Sequence, residues 1–405
     1  MSRDKFKGSR ERATRDFVAM RAEPFGLLRW IVQPRQLLFA MLFMAMAFKT
    51  AGASIPVFAG LFKSQRNSRS NIVPIAGDRA FSRLINAVQS QYVTLTFRGT
   101  LTIAGAVADN VRNRGSILAA FDEIGIDENG TDKHIYDGRV LRFISEMAAP
   151  SALSAKRLTS TAIAATTLEE SVRIYFAHPF AVLPRETQYL ERDTKQLFQV
   201  FAKLNSGGGG SRLAGVTGAS TAVLSAVTIT VTQGYDASET ARPFFIPIVR
   251  QQIAPVASAN AQLTEFIKTS NAIRGIVVSQ ESTQGVNTGL AGEVGDVINK
   301  LTLRGDFHDI IGPTPVKWDD LVLEQEYEFG GAVVTSNRAH LGINFQEHGR
   351  LATVLNPGQD SNLRFEFDVQ PSVTMVAGTT SQIRITIMEL LRDPTVVEPT
   401  LPIPV

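Results

Sequence analysis

Residues 92–105 read YVTLTFRGTLTIAG, and the two sets of alternate positions in this stretch differ completely in character. Val93, Leu95, Phe97, Leu101 and Ile103 are apolar, whereas Thr94, Thr96, Arg98, Thr100 and Thr102 are polar. Successive side chains of an extended strand point to opposite faces, so this pattern is a strand with one dry and one wet face. The same alternation recurs in SVRIYF (171–176), VTITVT (227–232), LRFEFDV (363–369) and IRITI (383–387). Parallel sheets covered on both faces would give unbroken apolar runs, so these strands predict antiparallel sandwiches.

Turn chemistry agrees. In FDEIGIDENGTDKHIYDG (121–138), Asn129-Gly130 separates two short strand-like runs, and both residues tolerate the positive φ that a two-residue hairpin turn requires. A calcium loop starting at Asp127 fails on spacing, because its sixth position is Asp132 and its twelfth Gly138. Helices are expected to be few and short: DRAFSRLINAV (78–88), with Asp78 as N-cap, and ETQYLERDTKQLFQVFAKL (186–204) carry apolar residues at helical spacing. SGGGGS (206–211) lacks the lysine of a phosphate-binding loop and reads as a mobile loop. WDDLVLEQEYEFGG (318–331) fits a helix and a strand about equally.

Two stretches of comparable length follow the same order of features without any residue-level repeat. IYDGRVLRF (135–143) and LRGDFHDIIG (303–312) occupy the middle of each. The strands SVRIYF and LGINF (341–345) come next, and VTITVTQGYD (227–236) and IRITIMELLRD (383–393) close them. About 160 residues suit one eight-stranded sandwich with decorated loops. The expected fold is mainly β, with two tandem eight-stranded sandwiches, a few short helices and an N-terminal helical arm. The expected boundaries are 1–70 for the arm, 71–236 and 237–395 for the sandwiches, and 396–405 for a tail, with KSQRNSRSN (63–71) as linker.

The arm differs in charge from the rest. Residues 1–70 hold 13 Lys/Arg against 4 Asp/Glu, whereas the remaining chain is slightly acidic. Such an arm suits phosphate-rich partners, either anionic lipid or nucleic acid, with Lys5, Lys7, Arg10, Arg12, Arg15 and Trp30 as the contacting residues. The run LLFAMLFMAMAF (37–48) is too short to span a bilayer, which needs about 20 apolar residues. Continuing to Phe62 exceeds 20 residues but is interrupted by Lys49 and Pro56, and the basic stretch before the run is long for a secretory signal, so an interfacial segment or a helix buried under the body is favoured over a spanning or secretory one.

Composition closes off several chemistries. The chain has no cysteine, which excludes disulfides, thiol nucleophiles and thiolate metal sites, and only five histidines. G-x-S-x-G, H-E-x-x-H, the Walker lysine and G-x-G-x-x-G are absent. His340 and His348 would share a strand face but lack a third ligand, so both are expected at the surface. Glu169-Glu170 and Asp319-Asp320 are neighbours that a strand would point to opposite faces. Alanine is expected to be tolerated at His340, His348, Asp319 and Glu170. No catalytic, metal or cofactor site is expected.

A basic, apolar arm followed by two consecutive sandwiches resembles the double jelly-roll major capsid proteins of tectivirus-like, membrane-containing icosahedral DNA viruses. The resemblance rests on VTLTFRGTLTIAG, IDENGTDKHIYDG and SQIRITIMELL and covers residues 71–395. The apolar run at 37–48 departs from the short polar N-terminal helix typical of that family. The resemblance implies a non-enzymatic virion protein that assembles as pseudo-hexameric homotrimers. Its implied partners are neighbouring capsid trimers, vertex (penton) and minor capsid proteins, an internal viral membrane reached by the arm, and the genome. It implies residence in the capsid shell, with assembly in the host cytoplasm. A membrane-anchored β-sandwich adhesion protein and a jelly-roll carbohydrate-active enzyme are the competing readings.

Overall fold

The computed structural model describes residues 65–85, 89–104, 112–113, 116–148, 165–176, 197–215, 221–236, 245–258, 261–282, 292–293, 297–306, 309–329, 339–345, 354–357, 362–370 and 381–392. The chain divides into residues 1–63 and a compact body, residues 64–405. Lys5, Lys7, Arg10, Arg12, Arg15, Trp30 and the run 37–48 lie outside the described residues.

The first half of the body contributes eight long strands: β1 (Gln65–Ile72), β2 (Arg79–Arg83), β3 (Gln89–Ala104), β5 (Phe121–Glu128), β6 (Thr131–Tyr136), β7 (Ala165–Tyr175), β8 (Phe198–Leu204) and β10 (Thr221–Asp236). A two-residue pair, β4 (Arg112–Asn113) with β9 (Ala214–Gly215), lies between them. One sheet runs β1-β10-β3-β7, and the facing strands run β2-β8-β5-β6. The second half contributes β11 (Phe245–Val256), β12 (Gln262–Phe266), β13 (Ala272–Ser282), β15 (Ile298–Arg304), β16 (Asp309–Lys317), β17 (His340–Asn344), β18 (Arg364–Val369) and β19 (Ser381–Arg392). The short β14 (Gly292–Glu293) pairs with the end of β13. Here the orders are β11-β19-β13-β17 and β12-β18-β15-β16. Numbered within its own half, each half is therefore 1-8-3-6 facing 2-7-4-5, the order of a jelly roll. The duplication legible in the order of features is a duplication of topology.

Helix placement repeats as well. α1 (Gly138–Ala148) follows the fifth strand of the first roll, and α3 (Trp318–Phe329) follows the fifth strand of the second. The four-residue α2 (Gly210–Leu213) sits before β9. Strands β2-β8-β5-β6 of roll one continue into β11-β19-β13 of roll two as one nine-stranded sheet that includes β14 and β17. The nine-stranded sheet passes from one half to the other at the parallel bridge Val249↔His134.

The alternation read from β3 is the alternation of burial. Val93, Leu95, Phe97, Leu101 and Ile103 lie in the core of roll one, and Ile383, Ile385 and Ile387 in that of roll two. Asn129 and Gly130 form the hairpin turn between β5 and β6, at φ 55° and 78°.

Several expectations are corrected. The segment 78–88 contains the strand β2, in which Ser82 turns inward and Phe81 stays exposed; just beyond it Leu84 is buried and Ile85 exposed. Pairing with β8 prevails over the helical spacing, and residues 86–88 lie outside the described residues. Likewise 198–204 is β8, with Phe198, Val200, Ala202 and Leu204 inward at period two. The expected linker contains β1, hydrogen-bonded along its length to β10. Asp137-Gly138 opens α1, and WDDLVLEQEYEF is helical. The glycine run is a tight turn: Gly210 leads into α2 with no space for a side chain against the backbone of Ala222.

Candidate functional site: the seam between the two rolls

A connected group of charges withdrawn from water lies where roll one meets roll two. The segment joining β6 to α1 carries Asp137, 1% exposed, whose Oδ1 accepts from the backbone N–H of Arg139 at 2.9 Å and so caps the helix. Its carboxylate also accepts from the Arg139 guanidinium at 2.8 Å through both oxygens. Arg139 then crosses the seam to Glu281 of β13 at 3.1 Å. Arg384 of β19 donates to Glu281 at 2.7 Å and lies 3.9 Å from Asp137, and its other nitrogen donates to Gln251 of β11 at 2.7 Å. Gln382 donates to the other Glu281 oxygen at 2.6 Å, which also accepts from Arg384 at 3.2 Å. Two carboxylates and two guanidiniums thus alternate across the junction.

Burial alone would raise the pKa of both carboxylates. At Asp137 the adjacent charge and hydrogen bonds of Arg139, reinforced by Arg384, prevail and hold the group well below the ordinary carboxylate range. Glu281 is lowered in the same sense against burial, by Arg139 and Arg384 and despite the nearby Asp137. Burial lowers Arg384, but Asp137 and Glu281 outweigh it and raise the group overall. Removing one member of such a network strands a buried charge at about 3–5 kcal/mol.

A second polar group flanks the bridge. His134, fully buried, hydrogen-bonds through Nδ1 to the Tyr136 hydroxyl at 3.2 Å and packs at 5.5 Å from the Phe176 ring. Burial, then the charge of Arg274 on β13, depress its pKa to about 3, with the backbone of Pro247 pulling the other way. Burial raises Tyr136. Gly125 lies under this strand so closely that a side chain would meet the His134 carbonyl and the Phe201 ring. The apolar part of the seam is Val249, Val277 and Met388, second-roll residues that belong to the core of the first. Phe143 of α1 sits 5.2 Å from the ring of His340, whose Nδ1 is 2.7 Å from Ser279 Oγ.

These carboxylates are held by guanidiniums and have no open face toward solvent, so the arrangement is a clamp. Among the described residues no group of three His, Asp or Glu could hold a metal ion. His340 is 1% exposed, so the expectation of a surface histidine is corrected; His348 lies outside the described residues. Glu169 and Glu170 do point to opposite faces of β7. Glu169 meets Arg98 at the surface, and Glu170 is buried against Ser116 at 2.6 Å and Arg142 at 3.1 Å. Asp319 and Asp320 are exposed in the first turn of α3 and not on a strand. Alanine at Glu170 or His340 would strand buried partners, contrary to the expected tolerance. Among the described residues no helix is long and apolar enough to cross a membrane.

The seam residues Asp137, Arg139, Glu281 and Arg384 escaped the sequence reading. Arg384 occupies a polar position of the IRITI alternation, which marks it for a wet face, and that face is covered by the other roll. The available signal was an acid and a base at alternating positions of two strands rich in apolar residues.

Two jelly rolls of identical strand order, fused through one sheet and clamped by buried ion pairs, define a double jelly-roll protein. No family model matches the sequence, and no curated protein is detectably similar to it. Solved structures with this fold are similar over most of the chain. The crystal structure of the STIV MCP matches with a TM-score of 0.58 at 10% identity, over 81% of this chain and 96% of that one. A chain of the PBCV-1 virus capsid matches with 0.55 at 9% identity, over 81% and 94%. The major capsid protein P2 from bacteriophage PM2 matches with 0.50 at 10% identity, over 81% and 99%.

Proposed function

We propose that this chain is the major capsid protein of an icosahedral virus and acts by self-assembly. The observation that carries this reading is a fold likeness spanning nearly the whole of several capsid proteins, with both rolls and their connection included. A clamp that holds two similar lobes in one block is what a shell subunit needs and what a catalyst does not. In this reading the protein is not an enzyme, and three chains present six similar lobes as a pseudo-hexagonal block. Neighbouring trimers, vertex and minor capsid proteins are the further partners, and the mature location is the virion shell after assembly in the host cytoplasm. Roll one extends to residue 236, roll two covers 237–395, residues 396–405 form a tail, and the arm is 1–70 less the residues of β1. The arm, through Lys5, Lys7, Arg10, Arg12, Arg15 and Trp30, contacts an internal membrane, with the genome as a second phosphate-rich partner. Electron microscopy of the purified full-length protein tests the central claim. Trimeric particles of hexagonal outline are expected, and monodisperse single chains of 44.1 kDa would refute it. Deleting residues 1–62 should abolish binding to anionic liposomes and leave the trimer intact.

A further inference from the structure

The seam inside the chain has a counterpart elsewhere on the same molecule, in which the described residues Arg98 and Leu323 are exposed. α1 and α3 occupy the same place in their rolls, and their positions correspond without offset. Ser145, the eighth residue of α1, accepts a hydrogen bond from the backbone N–H of Arg173 on β7 at 3.0 Å. Gln325, the eighth residue of α3, accepts one from the backbone N–H of Gly342 on β17 at 2.6 Å. Those strands are the sixth of each roll. Arg173 pairs across to Thr94 of β3, and Gly342 pairs to Val277 of β13. Two residues along, the cross-strand pairs match again: Thr96 with Ser171 at 2.8 Å, and Ser279 with His340 at 2.7 Å. Two more residues bring Arg98 into correspondence with Glu281.

Within the chain, α1 lies on the outer face of the roll-two sheet. Its second residue, Arg139, reaches Glu281, and its sixth, Phe143, packs on His340. On α3 the second residue is Asp319 and the sixth is Leu323, a leucine left 51% exposed. The sheet position matching Glu281 is Arg98, 51% exposed, and the position matching His340 is Ser171. Both members of the ion pair are reversed in sign, so the complementarity is preserved. The surroundings agree. Asp319, Asp320 and Glu324 are exposed on α3, which contains no basic residue, although Lys317 immediately precedes it. Among the residues whose side chains are described, the outer face of β1-β10-β3-β7 presents Arg69, Arg98 and Arg173 among threonines, with Glu169 as the acid.

The matching surfaces differ in what covers them. Val277, Ser279 and Glu281 are buried because roll one lies on them, whereas Thr94 and Thr96 are only half-buried and Arg98 is open. We infer that α3 of one copy docks on the outer β10-β3-β7 face of a second copy, repeating the internal contact with Asp319 toward Arg98 and Leu323 over Thr96 and Ser171. This deepens the assembly reading and rests on it: a head-to-tail contact of this kind uses two different surfaces, so each chain both gives and receives α3.

The test uses the full-length chain and compares Leu323→Lys, Asp319→Arg, Arg98→Glu and the double exchange Asp319→Arg/Arg98→Glu. Light scattering over a dilution series reads assembly, and urea unfolding reads the fold of each chain. Leu323→Lys and each single reversal should raise the half-dissociation concentration at least about tenfold, with the urea midpoint unchanged when measured at a concentration where parent and variants are dissociated. The double exchange should return it to within about threefold of the parent, since it restores opposite charges across the contact. A parent assembly that no single variant weakens overturns the docking surface while leaving assembly standing. Failure of the exchange to rescue overturns the Asp319–Arg98 pairing. A parent that stays a single chain at every concentration reached overturns the assembly reading and this inference with it.

Discussion

Acidification should loosen the seam through His134 well before the carboxylates respond. Its imidazole is held neutral, with a folded pKa of about 3. In the unfolded chain it titrates near 6.5. The unfolded state therefore takes up a proton that the native state refuses as pH falls below about 6.5, and stability drops with it. Each unit between about 6.5 and 3 removes about 1.4 kcal/mol, so moving from pH 7.5 to 5 costs about 2 kcal/mol. That figure is insensitive to the folded value, because at pH 5 the native imidazole is almost wholly neutral anyway. Asp137 and Glu281 have lowered folded pKa values, so the stability they contribute is present above their unfolded values. It is lost only below about pH 4.5, outside this window. Urea unfolding of the parent and of His134→Gln at fixed protein concentration isolates the effect, since the other histidines are common to both. The difference between the two proteins should change by about 2 kcal/mol between pH 7.5 and 5. Parallel pH profiles would refute the reasoning.

Glu281→Ala should lower equilibrium unfolding stability by about 3–5 kcal/mol, because Arg139 and Arg384 lose their shared acceptor in the buried seam. Phe97→Asp, Leu101→Asp or Ile385→Asp should abolish soluble protein by placing an unpaired charge in a core. Thr100→Ser, on the other face of β3, should stay within about 0.5 kcal/mol of the parent in the same assay.

The strands easiest to recognise in the sequence have one face on a core and one on solvent. β3, β7, β10 and β18 belong to this group, and their alternation is a direct image of burial. β2 and β8 were obscured because Phe81 and Phe201, on the outward side, complete an accidental helical stripe with inward neighbours. Phe201 is buried nonetheless, beneath the Arg79 guanidinium 4.3 Å above its ring. α1 is hard to read because Asp-Gly suits a turn, and here Asp137 serves as a helix cap. The seam was out of reach for a different reason. Asp137, Glu281 and Arg384 are far apart in the chain, and their positions read as wet until a second roll is laid on them. Local alternation reports which face of a strand is apolar, and it carries no information about which polar face another lobe will cover.

Fusion of two rolls in one chain has a kinetic consequence. Separate lobes would have to find each other by collision for every lateral contact, at whatever concentration they had reached. A covalent connection makes one contact in each pair intramolecular, with an effective concentration on the order of millimolar for a short tether. That contact forms during folding and does not dilute away. Two lobes that never need to recognise each other across solution are also free to diverge in sequence. The Arg139–Glu281 contact can then be internal machinery while Asp319 and Arg98 carry the opposite polarity on the outside. A roll-one surface offered to α1 of another copy would set Arg98 against Arg139, so like charge disfavours that pairing.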